Sequence, residues 1–134
     1  DVLEKNRGKV IYFDFWARWC PPCLAEMEPL KQLRSKFSTD DLIIYSICVS
    51  EPKEQWEECL NEYSLRNRGI ECVHVTDYLG IDNYQKIRKQ WKIDRMPYYI
   101  LINRQGQIID FGTAARPSNP QLVSRIEEAV KDTK

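Results

Sequence analysis

The chain has 134 residues, 43% of them hydrophobic, which suffices for one packed core and suits a single domain over 1–134. Lys and Arg together number 20, as do Asp and Glu, so no net charge directs the chain to nucleic acid. No apolar run approaches the ~20 residues that cross a bilayer, so no membrane span is expected.

The first residue is Asp1 and no charged segment followed by an apolar one opens the chain, so no signal peptide is visible and the sequence reads as the C-terminal part of a longer precursor. Val10 to Trp16, rich in β-branched and aromatic residues, predicts a buried strand. Pro21 and Pro22 then stand where a helix can begin, since a first turn needs no N–H from them. Leu24, Met27, Leu30, Leu33 and Phe37 follow at near-helical spacing, and Pro29 within that pattern predicts a kink, because it cannot bond the carbonyl of Ala25.

Leu42 to Val49 predicts a second buried strand. A helix with Trp56, Cys59, Leu60 and Tyr63 on one face comes next. Ile70 to Val75 is a short third strand, and Tyr84, Ile87 and Trp91 mark another helix. Pro97 opens a strand over Tyr98 to Ile102. The turn residues Asn103 to Gly106 return the chain as a hairpin over Gln107 to Phe111. Ser118 with Gln121 predicts a capping box for a last helix, whose apolar face is Leu122, Ile126, Ala129 and Val130. The alternation of strands and helices, parallel first and a hairpin last, predicts an α/β layered sandwich.

Five cysteines occur: Cys20, Cys23, Cys48, Cys59 and Cys72. Cys20-Pro21-Pro22-Cys23 falls at the strand-to-helix junction. There the first sulfur sits near unpaired helix N–H groups and the positive end of the helix dipole, which favours thiolate, the reactive form. The second sulfur lies one turn on, within reach to close a disulfide. Cys20 is therefore the candidate nucleophile and Cys23 the resolving thiol. Zinc would need a second Cys/His pair. The sole histidine, His74, lies two residues from Cys72, and no metal site is assigned. Cys48, Cys59 and Cys72 read as buried free thiols, with a disulfide between two of them as the alternative.

Asp14-Phe-Trp-Ala-Arg-Trp-Cys-Pro-Pro-Cys23 resembles the active-site segment of the thioredoxin superfamily. Cys-Pro-Pro-Cys, Glu26 and the helix-bearing insert before Pro97 narrow the resemblance to the extracytoplasmic thioredoxin-like reductases of bacteria, and Arg95 to Gly106 resembles the family's cis-proline strand and hairpin. The resemblance implies a three-layer fold with a central mixed sheet and a helix-bearing insert before Pro97. It implies an exposed nucleophile at Cys20, a buried thiol at Cys23, Trp19 packed beside them, and a cis bond before Pro97 with Met96 offering backbone to substrate. It also implies a buried acid at Asp14 beneath Cys23, a further acid at Glu26, and contact of Pro21 and Pro22 with substrate. Protein disulfides and an upstream thiol reductant would be the partners of a monomer in the periplasm or another extracytoplasmic compartment. The Cys20–Cys23 disulfide itself would be the only redox group, with no cofactor.

Asp14 interrupts an apolar strand, so burial should raise its pKa and suit it to take a proton from Cys23. Two prolines between the cysteines remove N–H donors near the Cys20 sulfur, which favours a reductant over an oxidant. A peroxidase on the same fold, and a non-catalytic module holding copper or a haem-ligating partner, are the alternatives. The chain departs from the family pattern in placing its helix proline at 29, one residue late, and in having Met at 96.

Overall fold

The computed structural model describes residues 2–50, 52–78, 81–90, 92–93 and 95–132. Val10 to Trp16 forms the central strand β1, and every residue of it is buried. Continuous burial is the mark of a strand covered on both faces. Leu42–Cys48 (β2) runs parallel to it and Tyr98–Ile102 (β4) antiparallel on its other side. Ile70–His74 (β3) continues outward from β2, and Ile108–Gly112 (β5) pairs with β4, giving the order β3-β2-β1-β4-β5.

Alternation of side chains along the strands divides the core in two. On one face Val10, Tyr12, Leu42, Ile44, Tyr99 and Leu101 meet Leu30 and Leu33 of α3 (Met27–Lys36) and Leu122 and Ile126 of α7 (Pro120–Lys131). Towards the C-terminal end of β1 this face also carries Trp56, Cys59 and Leu60 of α4 (Lys53–Glu62), packed with Trp16 and both Cys20 and Cys23. On the opposite face Ile11, Phe13, Phe15, Tyr45, Ile47 and Ile100 meet Tyr84 and Ile87 of α6 (Ile81–Gln90) and Val2 of α1 (Val2–Lys5). Helix, sheet and helix thus form the three layers.

Several details differ from the sequence expectation. The apolar helical pattern after Cys20 is two helices, α2 (Pro21–Ala25) and α3, parted at Glu26. Pro29 accounts for the break: it has no N–H to give Ala25, and the next bond runs from Leu30 N–H to the Glu26 carbonyl at 2.9 Å. The last helix is capped by Asn119, whose side chain accepts from Gln121 N–H at 3.0 Å, and Ser118 is engaged elsewhere. Short helices α1 and α5 (Val75–Tyr78) carry too few turns to show a periodicity. Trp91 lies outside the described residues.

The pole of the sheet at the start of β1 is tied by one side chain. Arg104, in the β4–β5 turn, donates to the Val130 carbonyl at 2.8 and 3.2 Å, to the Gly8 carbonyl at 3.0 Å and to Asp41 at 3.1 Å. It thereby joins the end of α7, the entry to β1 and the entry to β2. Arg104→Ala should lower unfolding free energy by about 2 kcal/mol, since several bonds from a charged donor are lost together. A denaturant midpoint unchanged from the parent would show that the clamp contributes nothing.

Candidate active site

The end of β1 delivers the chain into a tight turn in which Cys20 N–H bonds the Ala17 carbonyl at 3.1 Å. Arg18 N–H donates to Ser50 Oγ at 2.9 Å, fixing the turn to the loop after β2. Cys20 then adopts the N-cap position of α2 with extended backbone, and Pro21 and Pro22 fill the first helical turn. A side-chain acceptor at the N-cap usually belongs to Ser, Thr, Asp or Asn. Here the Cys20 sulfur takes that place and accepts the Cys23 N–H at 3.3 Å. The two prolines have no N–H to add, and Leu24 N–H goes to the Cys20 carbonyl instead.

Cys20 and Cys23 are joined as a disulfide, with Cα atoms 5.3 Å apart. In this form Cys20 is 3% accessible and Cys23 2%, so the resemblance's contrast of exposed and buried sulfurs does not appear. The covering comes from Trp16, Ala17, Met27 and the half-buried Met96, all in the cluster with the two cysteines. Trp19, next to Cys20 in the turn, is 67% exposed. Pro21 and Pro22 are exposed as well. The Met96–Pro97 bond is cis, and the Pro97 carbonyl accepts from the Thr113 hydroxyl at 3.0 Å.

Asp14 stands two residues before Trp16 and so faces the helix layer that carries the disulfide. It is 4% exposed. Burial pushes its carboxyl from the ordinary range up to about 7, and the neighbouring negative charge of Glu26 adds to the rise. Ser46, its register partner on β2, opposes the shift in part, although its hydroxyl falls short of hydrogen-bond geometry.

Glu26 occupies the break between α2 and α3, and its carboxylate is committed. It accepts from Ser118 N–H at 2.9 Å and from the Ser118 hydroxyl at 2.7 Å, and Arg116 stands 3.9 Å away. It therefore tethers the active-site helix to the entrance of α7. Sequence reasoning missed Arg116 and Ser118 because they lie about ninety residues along the chain from Glu26. Cys48, Cys59 and Cys72 are free thiols. Burial raises the pKa of all three, Cys72 to about 11, which disfavours the reactive thiolate.

The comparisons with known proteins agree with this geometry. The family model described as Redoxin matches residues 2–130. The thiol-disulfide oxidoreductase ResA of Halalkalibacterium halodurans is 25% identical over 129 residues, 96% of this chain and 66% of that protein. The chain thus spans just under two thirds of that relative, and 57% of the ResA protein of Bacillus thuringiensis. A candidate thiol-disulfide oxidoreductase of Bacteroides vulgatus, solved in solution, is 32% identical with a TM-score of 0.72, covering 94% of this chain and 76% of that one. The thioredoxin domain of another Bacteroides vulgatus oxidoreductase shares the fold, with a TM-score of 0.76 at 21% identity over 96% of this chain and 84% of that one. The fold is thioredoxin-like.

The state of Asp14 can be read from stability. A folded-state pKa near 7, against 3.8 for an ordinary Asp carboxyl, means that the folded chain holds a proton the unfolded chain has lost between those values. Stability therefore falls as pH rises through that window, by about 4 kcal/mol in all. Asp14→Asn has no such slope. Denaturant unfolding at pH 4.5 and pH 8 should show the variant gaining on the parent at the higher pH, and parallel profiles would refute the buried proton.

Proposed function

The chain belongs to the Redoxin family, and we propose that it is a thiol:disulfide oxidoreductase that reduces protein disulfides. The observation that carries this reading is the Cys20 sulfur at the N-cap of α2, bonded to Cys23 and accepting its N–H. When the pair is reduced, that N–H and the helix dipole favour the Cys20 thiolate.

The Cys20 thiolate attacks one sulfur of a substrate disulfide. The substrate S–S bond breaks, a Cys20–substrate disulfide forms, and the departing thiolate takes a proton from solvent. Cys23 then gives its proton to the Asp14 carboxylate. The Cys23 thiolate attacks the Cys20 sulfur and releases the second substrate thiolate, which is protonated in turn. The substrate gains two electrons and two protons, and the chain is left in the disulfide form. An upstream thiol reductant reverses the exchange on Cys20–Cys23 and restores the dithiol. The exposed Trp19, Pro21 and Pro22 form the apolar surface on which a substrate docks, with Met96 and Pro97 offering backbone to an extended segment. The resemblance of the active-site segment supports an extracytoplasmic setting, where protein disulfides form and persist.

The direction follows from the donors. Among the described residues one N–H reaches the Cys20 sulfur, and the two residues after it are prolines with none to give. A thiolate with few donors is less stabilised, and the dithiol is then the better electron source. The reduction potential should lie below roughly −200 mV, and a value near −120 mV would overturn the direction. Cys20→Ser should abolish turnover of a disulfide-bonded protein substrate. Cys23→Ala should accumulate the mixed disulfide, visible as a mass adduct cleaved by dithiothreitol, and failure to form one would overturn the activity. Asp14→Asn should slow the resolving step by about 10²-fold at neutral pH and remove its rise with pH.

A further inference from the structure

One row of the sheet places two unpartnered hydroxyls on either side of a titratable acid. Cys72 of β3, Ser46 of β2, Asp14 of β1 and Tyr99 of β4 are successive register partners across four strands. The preceding row on the same face is Ile70, Ile44, Tyr12 and Leu101, and its one polar group is satisfied, because the Tyr12 hydroxyl donates to the Ala115 carbonyl at 2.6 Å. In the Asp14 row the hydroxyls of Ser46 and Tyr99, on either side of the acid, are buried and have no hydrogen-bond partner among the described residues. A buried hydroxyl without a partner costs about 1–3 kcal/mol, so a pair flanking one titratable carboxyl calls for a reason.

The two hydroxyls are not equivalent. Ser46 can turn about a single bond to any staggered position. Tyr99 is held by its ring, stacked on Tyr12 at 5.7 Å between centroids and 3° between planes. Tyr12 is itself pinned through Ala115. The Tyr99 hydroxyl feels Asp14, Glu26 and Arg116, and together with burial the two acids hold it firmly in the neutral, donating form.

We infer that Tyr99 is a positioning residue for Asp14: its hydroxyl serves the ionised Asp14 carboxylate through one water, and so sets the pH at which Asp14 exchanges a proton. The inference rests on the reading of Asp14 as proton acceptor for Cys23 only in its kinetic consequence. The groups that face Asp14 are Tyr12 on its own strand, Ser46 and Cys48 from β2, Cys72 from β3, Tyr99 from β4 and Glu26 from the α2–α3 break, with Arg116 behind Glu26. Of these, the neutral Tyr99 is the fixed hydroxyl with no competing partner.

The test is the titration of Asp14 by carbon-13 NMR of its carboxyl in the disulfide form, which needs no catalysis. Tyr99→Phe keeps the ring and its stacking and removes the donor. Its Asp14 midpoint should rise by about one pH unit, because a hydrogen bond to the charged form favours that form. Tyr12→Phe, which removes the hydroxyl already bonded to Ala115, should leave the midpoint in place. If Tyr99→Phe does not fold, 3,5-difluorotyrosine at position 99 supplies a stronger donor, and the midpoint should fall. A midpoint unmoved by the change at 99, or moved equally by Tyr12→Phe, overturns the inference. The pH limb of the resolving step should follow the NMR midpoint. If Asp14→Asn leaves that limb intact while Tyr99→Phe shifts the NMR midpoint, the proposed role of Asp14 fails and the Tyr99 linkage stands.

Discussion

Asp14 stands inside a strand otherwise made of Val, Ile, Tyr, Phe and Trp, with neighbouring strands on both sides and helices above and below. Charging a carboxyl there means stripping its water in a medium that returns little of the lost hydration. The protein accommodates the cost by letting the group keep its proton to about neutrality. Much of the local architecture takes its meaning from that constraint. Hydroxyls of Ser46 and Tyr99 flank the acid in its own row, Glu26 is anchored nearby with its charge turned towards Ser118 and Arg116, and the disulfide closes the same face further along.

The two supports of the sulfur pair are of different kinds. The N-cap bond from Cys23 N–H to the Cys20 sulfur is local and comes from four consecutive residues. The Glu26–Ser118 bonds are long-range and fix the angle of the helix that carries those residues. The break at Glu26 makes the second support available. A continuous helix would have kept the Glu26 region in regular geometry, whereas the absent N–H of Pro29 frees a joint at which the carboxylate turns to another element. Placing the proline one residue late relative to the family pattern leaves this joint three residues beyond Cys23.

The central strands, the hairpin and the strand-to-helix position of the cysteines were legible because each depends on local periodicity or turn chemistry: β1 is an unbroken apolar run and Asn103 to Gly106 a turn signal. The reactive pair was legible for the same reason, being a four-residue pattern. What was not legible depends on residues distant in sequence. Ser118 reads as a cap from its spacing to Gln121, yet its hydroxyl is taken by Glu26, and Asn119 caps the helix instead. Tyr99 reads as an ordinary core aromatic until the register places it beside Asp14. The motif names Trp19, but its 67% exposure follows from the turn and not from the motif.

Arg104 gives the molecule an orientation that no single element has. Its guanidinium gathers the loops at one end of the sheet, while Cys20 follows the other end of β1. The two ends are thus held differently, one by a single charged side chain, the other by the Ser50 and Ser118 contacts on the turn and helices that carry the sulfurs. A change at Arg104 therefore acts on the sheet from the end remote from the disulfide and reaches the sulfurs only through the length of β1.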